Sequence, residues 1–224
     1  MTKVVAFDVN ETLLDLRALD APFEELFGSA ALRGQWFAQM LQLSFVGGLT
    51  GNYVTFSEAQ QAALLMLGQR QGVAVSNAEA VAMVNRMESL PPHLEVPAAL
   101  EKLAGTPLRV VALVNSLERV GKAQLTNAGI YSYFERVISG DTVRALKPAP
   151  APYLAVADAF GVTAADVRLV AAHSWDVSGA LAVGCKAAFV ARPGMVLSPI
   201  GAQPDIIGPD ISAVVDQIVA ADVP

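Results

Sequence analysis

The sequence predicts an α/β fold: a parallel sheet covered by helices on both faces and interrupted, just after its first strand, by an all-helical block. Two observations predict it. Short runs that are apolar on both faces stop abruptly at polar residues and alternate with helical stretches, as strands of a covered parallel sheet do. Residues 16 to 92 break this alternation, with helical periodicity and no convincing strand.

The elements follow in order. Lys3 to Phe7 reads as a buried strand ending at Asp8, and the helical block comes next. Within it, the uncharged run Gly34 to Ser57 carries Gln35, Gln39, Gln42 and Asn52, so it reads as an amphipathic helix broken at Gly47-Gly48 rather than as a membrane span. Ser57-x-x-Gln60 and Ser76-x-x-Glu79 have the spacing of capping boxes, with Gly72 and Pro91-Pro92 as stop signals. Leu108 to Leu113, Val137-Ile138, Arg168 to Ala172 and Cys185 to Val190 read as further strands. Between them, helices are expected over Leu117 to Ala128, capped by Asn115-Ser116, over Ala149 to Phe160, and over Val177 to Val183. The last helix, Ile211 to Ala220, carries a stripe of Ile211, Val214, Val215, Ile218 and Val219 that should dock on the sheet.

The 224 residues are 54% apolar and 16% charged, which excludes a disordered chain. A net charge of −6 excludes a cationic nucleic-acid binder. The N-terminus reaches Asp8 too early for a signal peptide, and no membrane segment is expected. The single cysteine, Cys185, can form no internal disulfide and lies in a strand, so it is expected in the core and the cytoplasm is the expected compartment.

Ligands of open parallel sheets bind beyond the carboxyl ends of the strands. The residues there are Asp8-Val9-Asn10-Glu11-Thr12, Asn115-Ser116 and His173-Ser174-Trp175-Asp176, with Lys147 after the short strand. Any one of them could simply cap a helix; together they point to a site. Asp8 is either a cap or a nucleophile in a dry site, and Thr12 is placed to fix its oxygens. Lys147, one of five lysines, would keep Asp8 ionised. Asp176 is either an N-cap, a general base or an anchor for Lys147.

These motifs, FDVNETLLD at Phe7 to Asp15, the stretch around Asn115, LKP at Leu146 to Pro148 and WDVSGA at Trp175 to Ala180, resemble the haloacid dehalogenase superfamily. Lys147-Pro148-x-x-x-x-Tyr153 and Trp175-Asp176 look more like its L-2-haloacid dehalogenase branch than its phosphatases. The resemblance implies a Rossmann-like parallel sheet core of residues 1–15 and 93–224 with an inserted helical cap of residues 16–92. It implies that Asp8 attacks the halogen-bearing carbon of a small 2-haloacid and that water then opens the ester to a 2-hydroxy acid of inverted configuration. It assigns Lys147 and Asp176 to both steps, and it implies no metal and no cofactor.

The chain departs from both branches. The second acid of the phosphatases is Asn10 here, their further acidic metal ligand is Ala172, and the second-motif hydroxyl is Val114, which argues against phosphoryl transfer. Relative to the dehalogenases, the hydroxyl that contacts the substrate carboxylate is again Val114, beside a retained Asn115. A tyrosine and glycine after the nucleophile are Asn10 and Glu11, and a serine–asparagine pair is Ala171 and His173. The arginine that faces the halide falls on Phe37, and Arg33, one turn earlier, is the expected substitute. Val9 is expected in the substrate pocket, Tyr153 behind Lys147 or Asp8, and Trp175 in the pocket wall. His173 is either a buried histidine held by backbone, or a donor to the leaving halide or a base for water. Two alternatives to haloacid hydrolysis stand beside it: another small electrophile, including atypical phosphatase chemistry, and non-catalytic binding of a small acid. Trp36 to Phe45 is apolar enough to predict a homodimer, unless that face closes over the site.

Overall fold

The computed structural model describes residues 2–223. It contains a six-stranded, wholly parallel sheet. The strands are β1 (Val4–Phe7), β2 (Arg109–Val114), β3 (Arg136–Ser139), β4 (Val167–Ala171), β5 (Lys186–Val190) and β6 (Ile206–Gly208), in the order β3-β2-β1-β4-β5-β6. The order reverses beside β1, where β2 and β4 flank it on opposite sides, and such a switch point opens a crevice at the strand ends.

Both faces of the sheet are covered. Val5 and Phe7 point into one apolar layer and Val4 and Ala6 into the other, the period-two alternation of a strand buried on both sides. Helices α5 (Val96–Ala104), α6 (Glu118–Asn127) and α9 (Ile211–Asp222) pack on the first face, and α7 (Pro150–Phe160) and α8 (Ser174–Ala182) on the second. The stripe of α9 docks as expected: Ile211, Val214, Val215 and Ile218 are all fully buried. Cys185 is buried among Tyr153, Val177 and Ala187.

Between β1 and α5 the regular elements are helical: α1 (Asp20–Phe27), α2 (Leu32–Thr50), α3 (Phe56–Gln71) and α4 (Asn77–Asn85), with short 3-10 turns. The capping box of α4 is Ser76 with Glu79, as expected. That of α3 is Thr55 with Glu58, two residues before the expected Ser57, and Gly72 ends α3 at φ 68°. The expected break at Gly47-Gly48 does not occur, because α2 runs through both glycines. Gly47 has a packing reason instead: a Cβ there would lie 2.9 Å from the Asn52 carbonyl. Asn115 and Ser116 do not cap α6, whose N-cap is Leu117 with no side-chain bond. Strand β6, three residues in a stretch rich in Gly, Pro and Ser, had too little apolar run to be expected. Among the described residues no helix is long and apolar enough to cross a membrane.

Candidate active site

The ends of β1, β2 and β4, with the loop after β3, bring the expected polar residues together at one point. Asp8 follows β1 and is 6% exposed, in a loop that folds back on itself through the Leu13 and Leu14 amides bonded to the Val9 carbonyl. Its Oδ2 accepts from the Thr12 hydroxyl at 2.6 Å, and that hydroxyl accepts in turn from the Ala172 N–H at 2.9 Å. Thr12 therefore ties the β1 loop to the end of β4 while holding the carboxylate still.

Lys147 is 1% exposed and places its Nζ 2.9 Å from Asp8 Oδ1 and 2.6 Å from Asp176 Oδ2. Asp176, in the first turn of α8, is fully buried and does not cap that helix; its Oδ1 accepts from the Tyr153 hydroxyl at 2.6 Å. Asn115 clasps the Lys147 backbone, accepting from its N–H and donating to its carbonyl. Burial alone would raise the Asp8 carboxyl, but the Lys147 charge and the His173 and Thr12 donors outweigh it and hold Asp8 well below the usual carboxylate range. Burial opposes the charge of Lys147 too, and the Asp176 and Asp8 carboxylates overcome it, so the ammonium is held more firmly than usual. Burial, with the Asp8 charge nearby, raises Asp176, and Lys147 offsets part of that rise.

His173 is the N-cap residue of α8 and is 6% exposed. It is not held by backbone. Its Nδ1 lies 3.1 Å from Asp8 Oδ2 and its Nε2 2.9 Å from Glu11 Oε2. The ring is stacked between Phe37 and Trp175, with centroids at 5.5 and 5.1 Å and interplanar angles of 16° and 24°. Burial disfavours the imidazolium, but the two carboxylates dominate and push His173 up to about 9. Since both ring nitrogens face carboxylates, the expected leaving-group donor has no free N–H to offer.

Glu11 stands among the strand-end residues named from the sequence, but the sequence assigns it no role; the structure sets it against His173. The Glu11 backbone has φ 60°, in the left-handed region that glycine enters freely and other residues enter at a cost. The signal was present in the departure from glycine at this position, but the reach of its carboxylate to His173 depends on how the loops fold.

Asp8, Val9, Asn10, Phe37, Val114, Asn115, Lys147, His173 and Trp175 line one cavity, with room for about one water molecule. Leu41 and Phe56 close it from the helical segment. Asn10 accepts from Gln124, and Trp175 lies with its ring centroid 5.9 Å from Lys147 Nζ. Arg33 does not line this cavity. Its Nε donates to Asp20 at 2.6 Å and its Nη1 lies 3.6 Å from Glu11, on the wall of a second cavity of about 330 Å³. The expected halide-facing arginine is thus paired with carboxylates elsewhere, the bond such a guanidinium makes most strongly. The stretch expected to supply a dimer interface also turns inward: Trp36 donates to the Gln60 carbonyl, Phe37 stacks on His173, and Phe45 meets Trp175 edge-on.

The donor set does not suit a divalent cation. Asp8 and Asp176 share the Lys147 ammonium, while Asn10 and Ala172 supply no carboxylate to complete an oxygen shell. Among the described residues no group of three or more His, Cys, Asp or Glu side chains is placed to hold a metal ion.

Comparison with known proteins gives the family. Residues 2–184 match the family model described as haloacid dehalogenase-like hydrolase. Haloacetate dehalogenase H-2 of Moraxella sp. (strain B) is 29% identical over 218 residues, covering 96% of this chain and 97% of that protein. An (S)-2-haloacid dehalogenase of Xanthobacter autotrophicus is 31% identical over 197 residues, covering 86% and 76%. The structure of L-2-haloacid dehalogenase from X. autotrophicus with chloropropionic acid covalently bound superimposes with a TM-score of 0.92 over the whole of both chains, at 26% identity. The chain belongs to the haloacid dehalogenase-like hydrolase family.

Proposed function

We propose that this hydrolase cleaves the carbon–halogen bond of small (S)-2-haloacids through an ester on Asp8, without a metal, and releases the 2-hydroxy acid of inverted configuration. The observation that carries the reading is Asp8 itself: a buried carboxylate kept ionised by Lys147 at 2.9 Å, fixed by Thr12, and facing a cavity with room for about one water molecule. The carboxylate displaces halide from the substrate carbon, and water then attacks the ester at Cγ. Lys147 faces the charges that change in both steps, and Asp176, gripped by Tyr153, keeps Lys147 in place. Asn10 lacks the carboxyl that a leaving-group acid for phosphate esters requires. The names of the relatives, and the covalently bound chloropropionic acid in a structure of the same fold, support this reading.

Residues 16–92 would act as a cap over a core of residues 1–15 and 93–224, since Phe37, Leu41 and Phe56 close the cavity from that segment. A 2-haloacid is larger than one water, so binding requires those side chains or their helices to move. With this activity goes the proposal of a cytoplasmic enzyme, since a lone thiol needs no oxidising compartment, and of a homodimer. Sedimentation checks the dimer, and a monomer at micromolar concentration would remove it.

Halide release from a panel of 2-haloacids, with and without EDTA, tests the activity. Release that is indifferent to EDTA is expected. Asp8→Asn should retain the fold and lower turnover by on the order of 10⁴ or more, the scale of losing a nucleophile. Single turnover in ¹⁸O water should place label in Asp8; label confined to product would mean direct attack by water.

A further inference from the structure

The two oxygens of Asp8 are not equivalent. Oδ2 has two donors, Thr12 Oγ1 at 2.6 Å and His173 Nδ1 at 3.1 Å. Oδ1 has one, Lys147 Nζ at 2.9 Å, and that ammonium is shared with Asp176 at 2.6 Å. Each donated hydrogen bond draws on lone-pair density, so Oδ1 is the better nucleophile. If Oδ1 attacks, Oδ2 becomes the carbonyl oxygen of the ester. Negative charge then gathers on Oδ2 when water adds to Cγ, where two donors already stand at hydrogen-bond distance.

We propose that His173, positioned by Glu11, acts with Thr12 as the oxyanion-stabilising pair for ester hydrolysis, a role that rests on the dehalogenase reading above. In the first step the Oδ1–carbon bond forms and the carbon–halogen bond breaks, with halide leaving on the bonding pair. In the second, the water oxygen bonds to Cγ and the charge develops on Oδ2. The Cγ–Oδ1 bond then breaks. Oδ1 leaves in the product hydroxyl with one proton of the water, and the other proton goes to solvent.

The arrangement of His173 fits a donor. A neutral imidazole would turn a lone pair toward one of its two carboxylates, whereas the imidazolium donates to both. Phe37 and Trp175 sandwich the ring and hold its plane. Glu11 explains why the charge survives the first step. Once Asp8 is esterified it no longer offers a negative charge, and Glu11 remains as the carboxylate facing His173. The other charged or titratable groups nearby are Lys147 and Asp176 beyond Asp8, Arg33 at 3.6 Å from Glu11, and His93, whose Nε2 is 3.3 Å from the Glu11 carbonyl. Glu11 also occupies a backbone conformation that glycine would adopt freely.

Rapid quench with (S)-2-chloropropionate, read by intact-protein mass, separates the two steps. In the wild type a transient ester is expected; if none forms, the dehalogenase reading fails and this role falls with it. Given the ester, His173→Ala should slow its hydrolysis on the order of 10²–10³-fold, the usual effect of losing one such donor, so that ester accumulates. Ester formation should change far less. Glu11→Gln and Glu11→Gly act through His173 and should move the alkaline fall of the hydrolysis step to lower pH, because the imidazolium then loses its proton sooner. Glycine accepts the φ of 60°, so Glu11→Gly tests the role even if His173→Ala does not fold. Unchanged hydrolysis in folded His173→Ala, hydrolysis that accelerates as pH rises through the same region, an unmoved alkaline limb in the Glu11 variants, or a loss confined to ester formation and dependent on the halogen would each overturn the proposal.

Discussion

The side-chain amide of Asn115 holds the backbone of Lys147 at both polar ends, with Oδ1 accepting from the Lys147 N–H at 2.7 Å and Nδ2 donating to its carbonyl at 3.2 Å. The end of β2 thereby fixes the loop that carries the ammonium to Asp8, although neither Asn115 atom touches the nucleophile. A residue expected to start a helix instead sets the position of a charge.

Asn115→Ala should therefore impair the site without altering the sheet. It leaves a buried N–H and carbonyl unpaired, at about 1–3 kcal/mol of stability. A loosened Lys147 should lower kcat roughly tenfold or more, since one RT ln 10 of lost transition-state stabilisation is about 1.4 kcal/mol. Asn115→Asp keeps the acceptor and should retain more activity than Ala. Thermal denaturation and steady-state kinetics check both effects.

Phe37 sets how much room the site has. It stacks on His173 and lines a cavity the size of one water. Phe37→Ala should destabilise the protein by about 3 kcal/mol, as for a buried ring removed from a packed site. It should also raise kcat/KM for a longer 2-haloacid relative to chloroacetate by roughly tenfold or more, the scale of one methylene in an apolar pocket. Competition between the two substrates measures that ratio, and an unchanged ratio would remove Phe37 from the specificity wall.

Far from the site, Arg168 on β4 is fully buried, donating to Asp222 at 2.6 Å and also bonding Asp205, while Lys186 reaches Asp222 at 2.9 Å. Burial would raise Asp222, but Arg168 and Lys186 outweigh it and bring its carboxyl down to about 2. A depressed folded value means the contribution is present above the unfolded pKa, near 4, and is lost as pH falls through about 2. Asp222→Asn should cost about 3 kcal/mol at neutral pH, because it leaves a buried guanidinium short of charge. It should also flatten the acid limb of stability between roughly pH 4 and 2. Urea denaturation across that range checks both.

Much of the fold could be read in the chain. Apolar runs on both faces identified β1, β2, β4 and β5, because a strand of a covered parallel sheet is apolar at nearly all positions, whichever face they point to. The stripe of α9 and the Ser76–Glu79 box were legible because they depend on spacing within one segment. Strand β6 was not, since its three residues are defined by pairing with β5 rather than by their own pattern. The helix through Gly47 and Gly48 was also hidden, because glycine serves there as a point of close approach that the local sequence reads as a break.

By itself the sequence determined which groups stand at the strand ends, and so that Asp8, Thr12, Lys147 and Asp176 could form a site: strand termination is local, and a parallel sheet aligns those ends. Only the tertiary structure decided how those groups pair. It gave Arg33 to Asp20 and Glu11 rather than to the cavity, turned the apolar face of α2 inward onto His173 and Trp175, and set Glu11 and Asp8 on opposite nitrogens of one imidazole. The physical reason is that a charged side chain takes whichever partner the packing brings within about 3 Å, and residues 11 and 173, or 33 and 20, meet only after the helices and loops between them have closed.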